Sequence, residues 1–157
     1  MDKQPPHLTL KPIGTVSNQM KEIPPKPGYN WQAVESRITV DEAFTEALDS
    51  LDNYSHIIVI YWLHKAFIRK YSIKVHPRGD LNLSLVGLFA SRSPYRPNPV
   101  GVKTVQLVKR RGNTLWVRGL DAIDDTPVID IKPFIPGYDS SDEATVPEWD
   151  SRKHIDS

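Results

Sequence analysis

The sequence contains no cysteine, and methionine occurs only twice in its 157 residues. The lack of cysteine excludes disulfides, a thiolate nucleophile, and zinc or iron–sulfur sites that use sulfur ligands. It is typical of proteins in a reducing compartment, so we expect a cytoplasmic protein. No apolar run approaches the roughly 20 residues that span a bilayer, and residues 1–12 carry no targeting pattern. We therefore expect no membrane segment.

Three common chemical motifs are also absent. None of the eight glycines lies two residues from another, which excludes a Gly-x-Gly dinucleotide loop, and no P-loop pattern is present. The five histidines show no metal-ligand spacing, so we expect no metal site. A Gly-x-Ser-x-Gly nucleophile elbow is missing, which argues against a hydrolase. Any nucleotide-like ligand must therefore be held by other means.

Positive charge is concentrated in the middle of the chain. Residues 65–118 contain twelve lysines and arginines and a single acid, giving +11, whereas the two flanks together carry −10. This asymmetry indicates an anionic partner such as a nucleic acid; the alternative is that these bases pair with the acidic flanks. A basic surface of this kind would bind RNA with a strong dependence on salt. The bases that we expect there are Lys70, Lys74, Lys109, Arg110 and Arg111.

Proline is abundant, at 14 of 157 residues, or about 9% against an average of about 5%, and this disfavours long helices. Residues 34–40 alternate apolar and polar side chains, the pattern of a half-buried strand. Thr39 and Glu42 then have capping-box spacing for the one predicted helix, which ends at Asn53.

The strongest strand signal is residues 57–63, seven consecutive apolar or aromatic side chains rich in β-branched residues. Such a run predicts a strand buried on both faces, with the second face covered by the helix or by a partner chain. Gly112 and Asn113 then separate the two strands of a predicted hairpin. We predict a mainly β fold, a small antiparallel β-barrel with one short amphipathic helix and proline-rich loops. It forms a single domain over 1–138, followed by an acidic tail over 139–157.

Residues 87–101 form the densest group of candidate binding side chains. Three prolines and two glycines restrict this loop, so its polar side chains are held at low entropic cost. Arginine offers a rigid fork of donors to a carboxylate or phosphate, and tyrosine offers a face for stacking. The alternative is a proline-rich crossover whose arginines pair with nearby acids. The candidate side chains are Arg92, Tyr95, Arg96 and Asn98.

A second polar segment, residues 120–136, places Asp121, Asp124 and Asp130 around a Thr-Pro turn. Carboxylates there could accept ribose hydroxyls or an amino group, or could act as a base. The alternative is an ordinary turn with Asx capping and surface acids.

Two shorter strings precede these segments in the chain, Ile13-Gly14 and Tyr54-Ser55-His56. Together, in order and over about residues 8–138, the four segments resemble the tRNA-methyltransferase O (TrmO) family of S-adenosylmethionine-dependent enzymes. The resemblance implies a β-barrel methyltransferase, usually a homodimer with the cofactor near the subunit junction, unlike the Rossmann-type enzymes. It also implies methylation of the exocyclic nitrogen of threonylcarbamoyl-adenosine beside the anticodon of tRNA.

The resemblance further implies which residues bind S-adenosylmethionine. Family members commonly carry glycine where Asp125 stands, and aspartate is one of the residues that tolerate a positive φ. The long bacterial form adds a C-terminal domain that this sequence does not show, so we expect tRNA contacts on the barrel surface or the dimer. Carried over by motif, the cofactor contacts are Pro27, Gly28, Tyr29, His64, Lys65, Arg92, Val102, Asp125, Thr126, Pro127 and Val128.

Methyl transfer is a displacement at a sulfonium, so the enzyme mainly positions the donor and the acceptor and excludes water. We expect the anionic tRNA substrate to be bound by residues with fixed positions beside prolines and by their neighbours. These substrate-binding residues are Arg96, Lys132, Tyr95 and Asn98.

The acceptor nitrogen must also lose a proton. Asp124, Asp130 and His56 are the available bases, and our predicted catalytic residues are Asp130 and His56. Two other functions remain open: a non-catalytic barrel that binds S-adenosylmethionine or RNA, and a protein-interaction module built on strand 57–63.

Overall fold

The structure, a computed structural model, describes residues 8–24 and 28–151. Its strands are Gly14–Ser17 (β1), Glu35–Val40 (β2), His56–Trp62 (β3), Lys74–Val75 (β4), Val86–Gly87 (β5), Val100–Arg111 (β6), Thr114–Arg118 (β7) and Pro127–Pro133 (β8). Short 3₁₀ helices lie at Trp31–Ala33, Glu42–Leu48, Leu51–Asn53, Ala66–Ile68, Pro77–Gly79, Leu88–Ala90 and Glu148–Asp150.

Six of the strands close into an antiparallel barrel in the order β1-β2-β7-β6-β3-β8, which confirms the predicted fold class. The ring is completed where β1 pairs with β8, with Gly14 opposite Val128. Closure leaves the barrel sheet without an unpaired edge. Strands β4 and β5 form a separate two-stranded sheet.

The barrel interior is filled by the inward residues of each strand. In β2, Ser36, Ile38 and Val40 are buried while the residues between them are exposed. Leu115 and Val117 of β7 are fully buried beside Ile38. This alternation is the pattern by which the sequence predicted the strand over 34–40, and the prediction is confirmed.

Within this chain, only one face of strand β3 is fully buried, so the predicted cover of the second face by a partner chain stays a prediction. Ile57, Val59 and Tyr61 point into the core, whereas Ile58 and Ile60 on the other face are half-buried. The strand lies between β6 and β8, so one face must look out from the barrel wall.

The predicted helix is present as two 3₁₀ segments, Glu42–Leu48 and Leu51–Asn53, interrupted by Ser50 with a left-handed φ of 67°. Leu48 is buried, and Phe44 and Leu51 pack beside it on the core. The capping role predicted for Thr39 is wrong, because Thr39 belongs to β2 and Asp41 precedes the helical turns.

The predicted hairpin is confirmed, since β6 and β7 pair across a turn in which Gly112 has a φ of 57°. Beyond β8, residues 135–148 are exposed, and Arg78 donates a hydrogen bond of 2.8 Å to the Trp149 carbonyl. The domain boundary at residue 138 stays a prediction. Within 8–24 and 28–151, no helix is long and apolar enough to span a bilayer.

Candidate functional site

A cavity of about 490 Å³ opens at the end of the barrel where β3 ends and β6 begins. Its walls come from five parts of the chain: Ile23, Trp31, residues 61–66, residues 89–102 and residues 121–126. Small-molecule sites in proteins typically enclose about 300–1,000 Å³, so the cavity has the size of a ligand site. Both polar segments selected from the sequence contribute to it.

The proline-rich loop is held in place by its own arginine. Arg96 donates to the carbonyls of Ser91 and Ser93 at 3.0 and 3.2 Å, and its guanidinium lies 5.7 Å from the centre of the Phe89 ring. The end of the loop is anchored to β3, because the Leu63 amide donates to the Pro99 carbonyl at 2.8 Å. Arg96 therefore shapes the cavity wall as well as lining it.

The side chain of His64 presents an unsatisfied polar atom in the cavity wall. Its Nδ1 is buried and has no hydrogen-bond partner among the described residues. A buried polar group without a partner is destabilising, by about 1–3 kcal/mol in typical cases. His64 itself lines the cavity, and a rotation of its ring would bring this nitrogen to a ligand that supplies the missing hydrogen bond.

Tyr61 and Asp121 meet at the inner wall of the cavity. The Tyr61 hydroxyl donates a short hydrogen bond to Oδ1 of Asp121, and Tyr61 is only 3% exposed. Burial, and then the negative charge of Asp121, raise the pKa of Tyr61 above its ordinary value. The hydroxyl thus remains a donor, while the other oxygen of Asp121 has no hydrogen bond from a described residue.

Gly101 fits against the face of the Tyr61 ring. A Cβ atom at this position would lie 2.3 Å from Cε2 of Tyr61, closer than any two carbon atoms pack. The absence of a side chain here lets β6 pass directly over the ring, with Gly101 opposite Tyr61 in the β3–β6 register.

The acidic turn before β8 is bonded both to β1 and to the chain that follows it. Asp125 adopts a φ of 62°, as expected for aspartate at a position that favours glycine, and its amide donates to the Val16 carbonyl at 2.9 Å. Thr126 donates to the Ile123 carbonyl at 2.7 Å. The pKa of Asp124 is lowered, first because Lys21 donates to it and then because the Asn18 amide does.

The rim of the cavity carries two cations with partners. Lys65 donates to the Lys21 carbonyl at 2.8 Å and to the Glu22 carboxylate at 2.9 Å. Arg92 is exposed and donates to the Val102 carbonyl at 3.2 Å, which leaves other guanidinium donors free for an anion.

The structure separates the predicted cofactor residues into groups. Gly28 and Pro127 line neither the cavity nor a second, more polar groove, and the side chain of Val128 is fully buried in the core. Tyr29 and Asp125 line the groove of about 930 Å³. Pro27 lies outside the described residues. The members that line the cavity are His64, Lys65, Arg92, Val102 and Thr126.

Of the predicted substrate residues, Arg96 alone lines the cavity. The Tyr95 ring lies 5.5 Å from the Arg69 guanidinium, and Asn98 is exposed. Lys132 forms an ion pair of 2.7 Å with Asp130, which raises the pKa of Lys132.

The predicted bases Asp130 and His56 do not line the cavity. His56 stands exposed at the opposite end of β3, within 2.8 Å of the Ser55 hydroxyl. Asp130 pairs with Ile60 on the outer face, because a bulge shifts the register between Ile60 and Tyr61. Without the bulge, alternation from the buried Val128 would turn Asp130 inward.

The sequence analysis did not find the Tyr61–Asp121 pair. It also expected Arg110 on the RNA-binding surface, where the structure pairs it within the chain. A tyrosine within an aliphatic strand was the available signal, since a buried hydroxyl needs a partner. Arg110, expected on a basic surface, instead donates to the Leu48 and Thr45 carbonyls and pairs with Asp49 at 3.3 Å.

Comparison with known proteins places this arrangement in a family. A probable S-adenosyl-L-methionine-binding protein of Methanocaldococcus jannaschii is 46% identical over 127 residues, covering 80% of this chain and 90% of that protein. A tRNA (adenine(37)-N6)-methyltransferase of Mus musculus is 40% identical over 100 residues, covering 64% of this chain and 23% of that protein.

Among solved structures, the crystal structure of TrmO from Pseudomonas aeruginosa superposes with a TM-score of 0.73 at 27% identity. The match covers 96% of this chain and 65% of the crystallised chain, so this chain spans slightly less than two thirds of that protein. The family model of the tRNA-methyltransferase O N-terminal domain matches residues 13–140, a range that contains all six barrel strands and the whole cavity. This chain therefore belongs to the tRNA-methyltransferase O N-terminal domain family.

Proposed function

We propose that the protein is an S-adenosylmethionine-dependent methyltransferase that acts on tRNA. The observation that carries the proposal is the cavity of about 490 Å³ at the barrel end, which is lined by the Asp121 carboxylate and by His64, whose buried Nδ1 has no partner among the described residues. The relatives described as S-adenosyl-L-methionine-binding proteins and tRNA methyltransferases support it. The acceptor in this proposal is the exocyclic nitrogen of threonylcarbamoyl-adenosine beside the anticodon.

The residues of the cavity fit the proposed cofactor. His64 Nδ1 offers a hydrogen bond to the adenosyl part, and Arg92 keeps free donors for a carboxylate. Leu63, Ala66 and Val100 add apolar surface. When bound, S-adenosylmethionine supplies an electrophilic methyl group on a cationic sulfur. With Lys65, Val102 and Thr126 these residues form the proposed binding set.

Arg96 is the proposed contact for the anionic end of the modified nucleoside. It lines the cavity, and the two carbonyls that it binds fix the plane of its guanidinium. A fixed guanidinium can bind a carboxylate through two parallel hydrogen bonds. The threonyl carboxylate of the substrate is such a group.

Asp121 is the proposed acceptor for the proton that the nitrogen loses. It is the carboxylate that lines the cavity, and Tyr61 fixes one of its oxygens. In the proposed step the nitrogen would bond to the methyl carbon as the bond from that carbon to the cationic sulfur breaks, its electron pair returning to the sulfur of the departing S-adenosylhomocysteine, while the N–H proton would pass to the free oxygen of Asp121. Positioned bases of this kind typically contribute about 10²- to 10⁴-fold to rate.

Cofactor binding is tested by calorimetry on the wild-type protein and on His64→Leu. We expect the wild type to bind S-adenosylmethionine and the variant to bind it about tenfold more weakly, since one hydrogen bond is lost. The unfolding free energy of the cofactor-free variant should equal or exceed that of the wild type, because the substitution removes an unsatisfied buried atom. Absence of heat with the folded wild-type protein would refute the cofactor assignment.

Methyl transfer is tested with a radiolabelled methyl donor and tRNA from cells that lack the gene. We expect label in tRNA, and after digestion in one nucleoside, methylated threonylcarbamoyl-adenosine. Label in another nucleoside would contradict the proposed acceptor, but it would still support a tRNA methyltransferase. Binding without any transfer would instead favour a non-catalytic module for S-adenosylmethionine or RNA.

We also propose that the protein is a cytoplasmic homodimer. The segment from Ala66 to the cavity rim exposes large apolar side chains, among them Ile73 at 77% and Phe89 at 81%. Phe89 also lines the cavity, so a second copy that covers it would complete the cavity mouth. Light scattering should give twice the mass of the chain for the wild type, and the mass of one chain for Phe89→Ser with Ile73→Ser. A wild-type monomer would contradict the proposal.

A further inference from the structure

A tryptophan between two cations stands on the outer face of the barrel and does not line the ligand cavity. In the sheet, Trp116 of β7 is the cross-strand partner of Arg37 of β2 on one side and of Lys109 of β6 on the other. The neighbours Leu115 and Val117 are fully buried, so Trp116 points away from the core. The Lys109 ammonium lies 4.6 Å from the centre of the Trp116 ring.

The face around Trp116 is cationic. Arg37, Lys109 and Arg111 form no ion pair with a carboxylate within the described residues. Arg118, on the next outward position of β7, pairs with Glu35 at 3.3 Å. Trp116 is half-buried, and an outward-facing aromatic ring among cations without carboxylate partners is the combination that single-stranded nucleic acids bind.

A polar groove of about 930 Å³ lies beside Trp116 on this face, and Arg37 and Trp116 line it together with Tyr29. Of its three acids, Glu35 and Asp124 are already paired with cations. The groove therefore offers room for a nucleotide next to a flat aromatic surface.

We propose that Trp116 is a stacking platform for an unpaired RNA base, with Arg37 and Lys109 binding the phosphates on either side. The inference rests on the proposed function, because a tRNA supplies the unpaired loop. Stacking of a base is stronger than an exposed cation–π contact, so the base displaces Lys109 from the ring and frees its ammonium for a phosphate. Bases inside a duplex are already stacked on each other, so the platform prefers loops.

The test measures fluorescence anisotropy of a labelled tRNA anticodon stem-loop, against the same RNA annealed to its complement. We expect Trp116→Ala to weaken binding of the stem-loop about tenfold or more and to change binding of the duplex little. Trp116→Phe keeps an aromatic face and should retain most of the affinity. Arg37→Gln and Lys109→Gln should each reduce the slope of log affinity against log salt by roughly 0.7.

Lys11→Gln is the matched control, because Lys11 also lies over an aromatic ring, at 5.4 Å from that of Phe44. It should bind both RNAs like the wild type. A Trp116→Ala protein that still binds the cofactor and binds the stem-loop with wild-type affinity would overturn the platform, and that is the result expected if this face binds a protein instead.

Methyl transfer by the same variants separates the two proposals. If the wild type transfers label and Trp116→Ala keeps the wild-type KM for tRNA, the platform fails and the proposed function stands. If RNA affinity depends on Trp116 but no label is transferred, the platform stands and the proposed function fails.

Discussion

Replacing Asp121 with asparagine lowers kcat for methyl transfer to tRNA by about 10²- to 10⁴-fold in our expectation, because the amide cannot accept the proton of the acceptor nitrogen. The substitution keeps the shape of the side chain and an oxygen that can accept the Tyr61 hydrogen bond, so the cavity should keep its form. The affinity for S-adenosylmethionine, measured by calorimetry, should change by less than about twofold. This result would show that the substitution removes stabilisation of the transition state and not of the bound cofactor.

Two variants sharpen this test. Tyr61→Phe removes the hydrogen bond that orients Asp121 and should lower kcat less than Asp121→Asn does, since the base itself remains. Asp130→Asn decides between the carboxylate found in the cavity and the one predicted from sequence. Loss of activity in Asp130→Asn with normal activity in Asp121→Asn would refute our assignment. A parallel loss of cofactor affinity in Asp121→Asn would show that this carboxylate binds the cofactor's cation instead.

Gly101→Ala should destabilise the fold and disable the cavity together. The new methyl group would lie 2.3 Å from Cε2 and 2.4 Å from Cζ of Tyr61. The ring cannot move aside without breaking the hydrogen bond to Asp121, and it is packed in the core. Overpacking of this kind typically costs about 1–3 kcal/mol, occasionally more. Urea unfolding should show this loss of free energy, and the folded fraction should bind the cofactor weakly.

Gly87→Ala is the matched control for the same substitution. Gly87 has no neighbouring atom within 4 Å of the position of a Cβ, and its φ of −61° suits any residue. Its unfolding free energy should stay within about 0.5 kcal/mol of the wild type. A loss of stability at Gly101 no larger than at Gly87 would mean that the contact with Tyr61 does not decide the result, because reduced freedom of the unfolded chain stabilises rather than destabilises at such positions.

The strands of the barrel could be predicted because they follow local rules. Alternating burial marked β2, and Gly112 marked the turn between β6 and β7. The outer face of β3 could not be predicted in the same way. Ile58 and Ile60 have the side chains of a fully buried strand, yet the barrel leaves that face half exposed, and only the strand order shows it.

The candidate site was predictable in its segments but less so in its partners. The proline-rich loop and the acidic turn both line the cavity, as their side chains suggested. The contact between Tyr61 and Asp121 joins residues 60 positions apart in the sequence, which no local pattern specifies. A single bulge in the β3–β8 pairing moves Asp130 to the outer face, and no local pattern specifies that bulge either.

The pairing between the first and the last barrel strands also determines when the barrel can close during synthesis on the ribosome. Because β1 pairs with β8, a nascent chain cannot complete its barrel until residues 127–133 have left the ribosome. The turn over 121–126 emerges just before that moment and supplies part of the cavity wall. Ligand binding thus begins only after residues 127–133 have emerged, and a ligand that binds this cavity stabilises the closed barrel but not a chain that stops before β8.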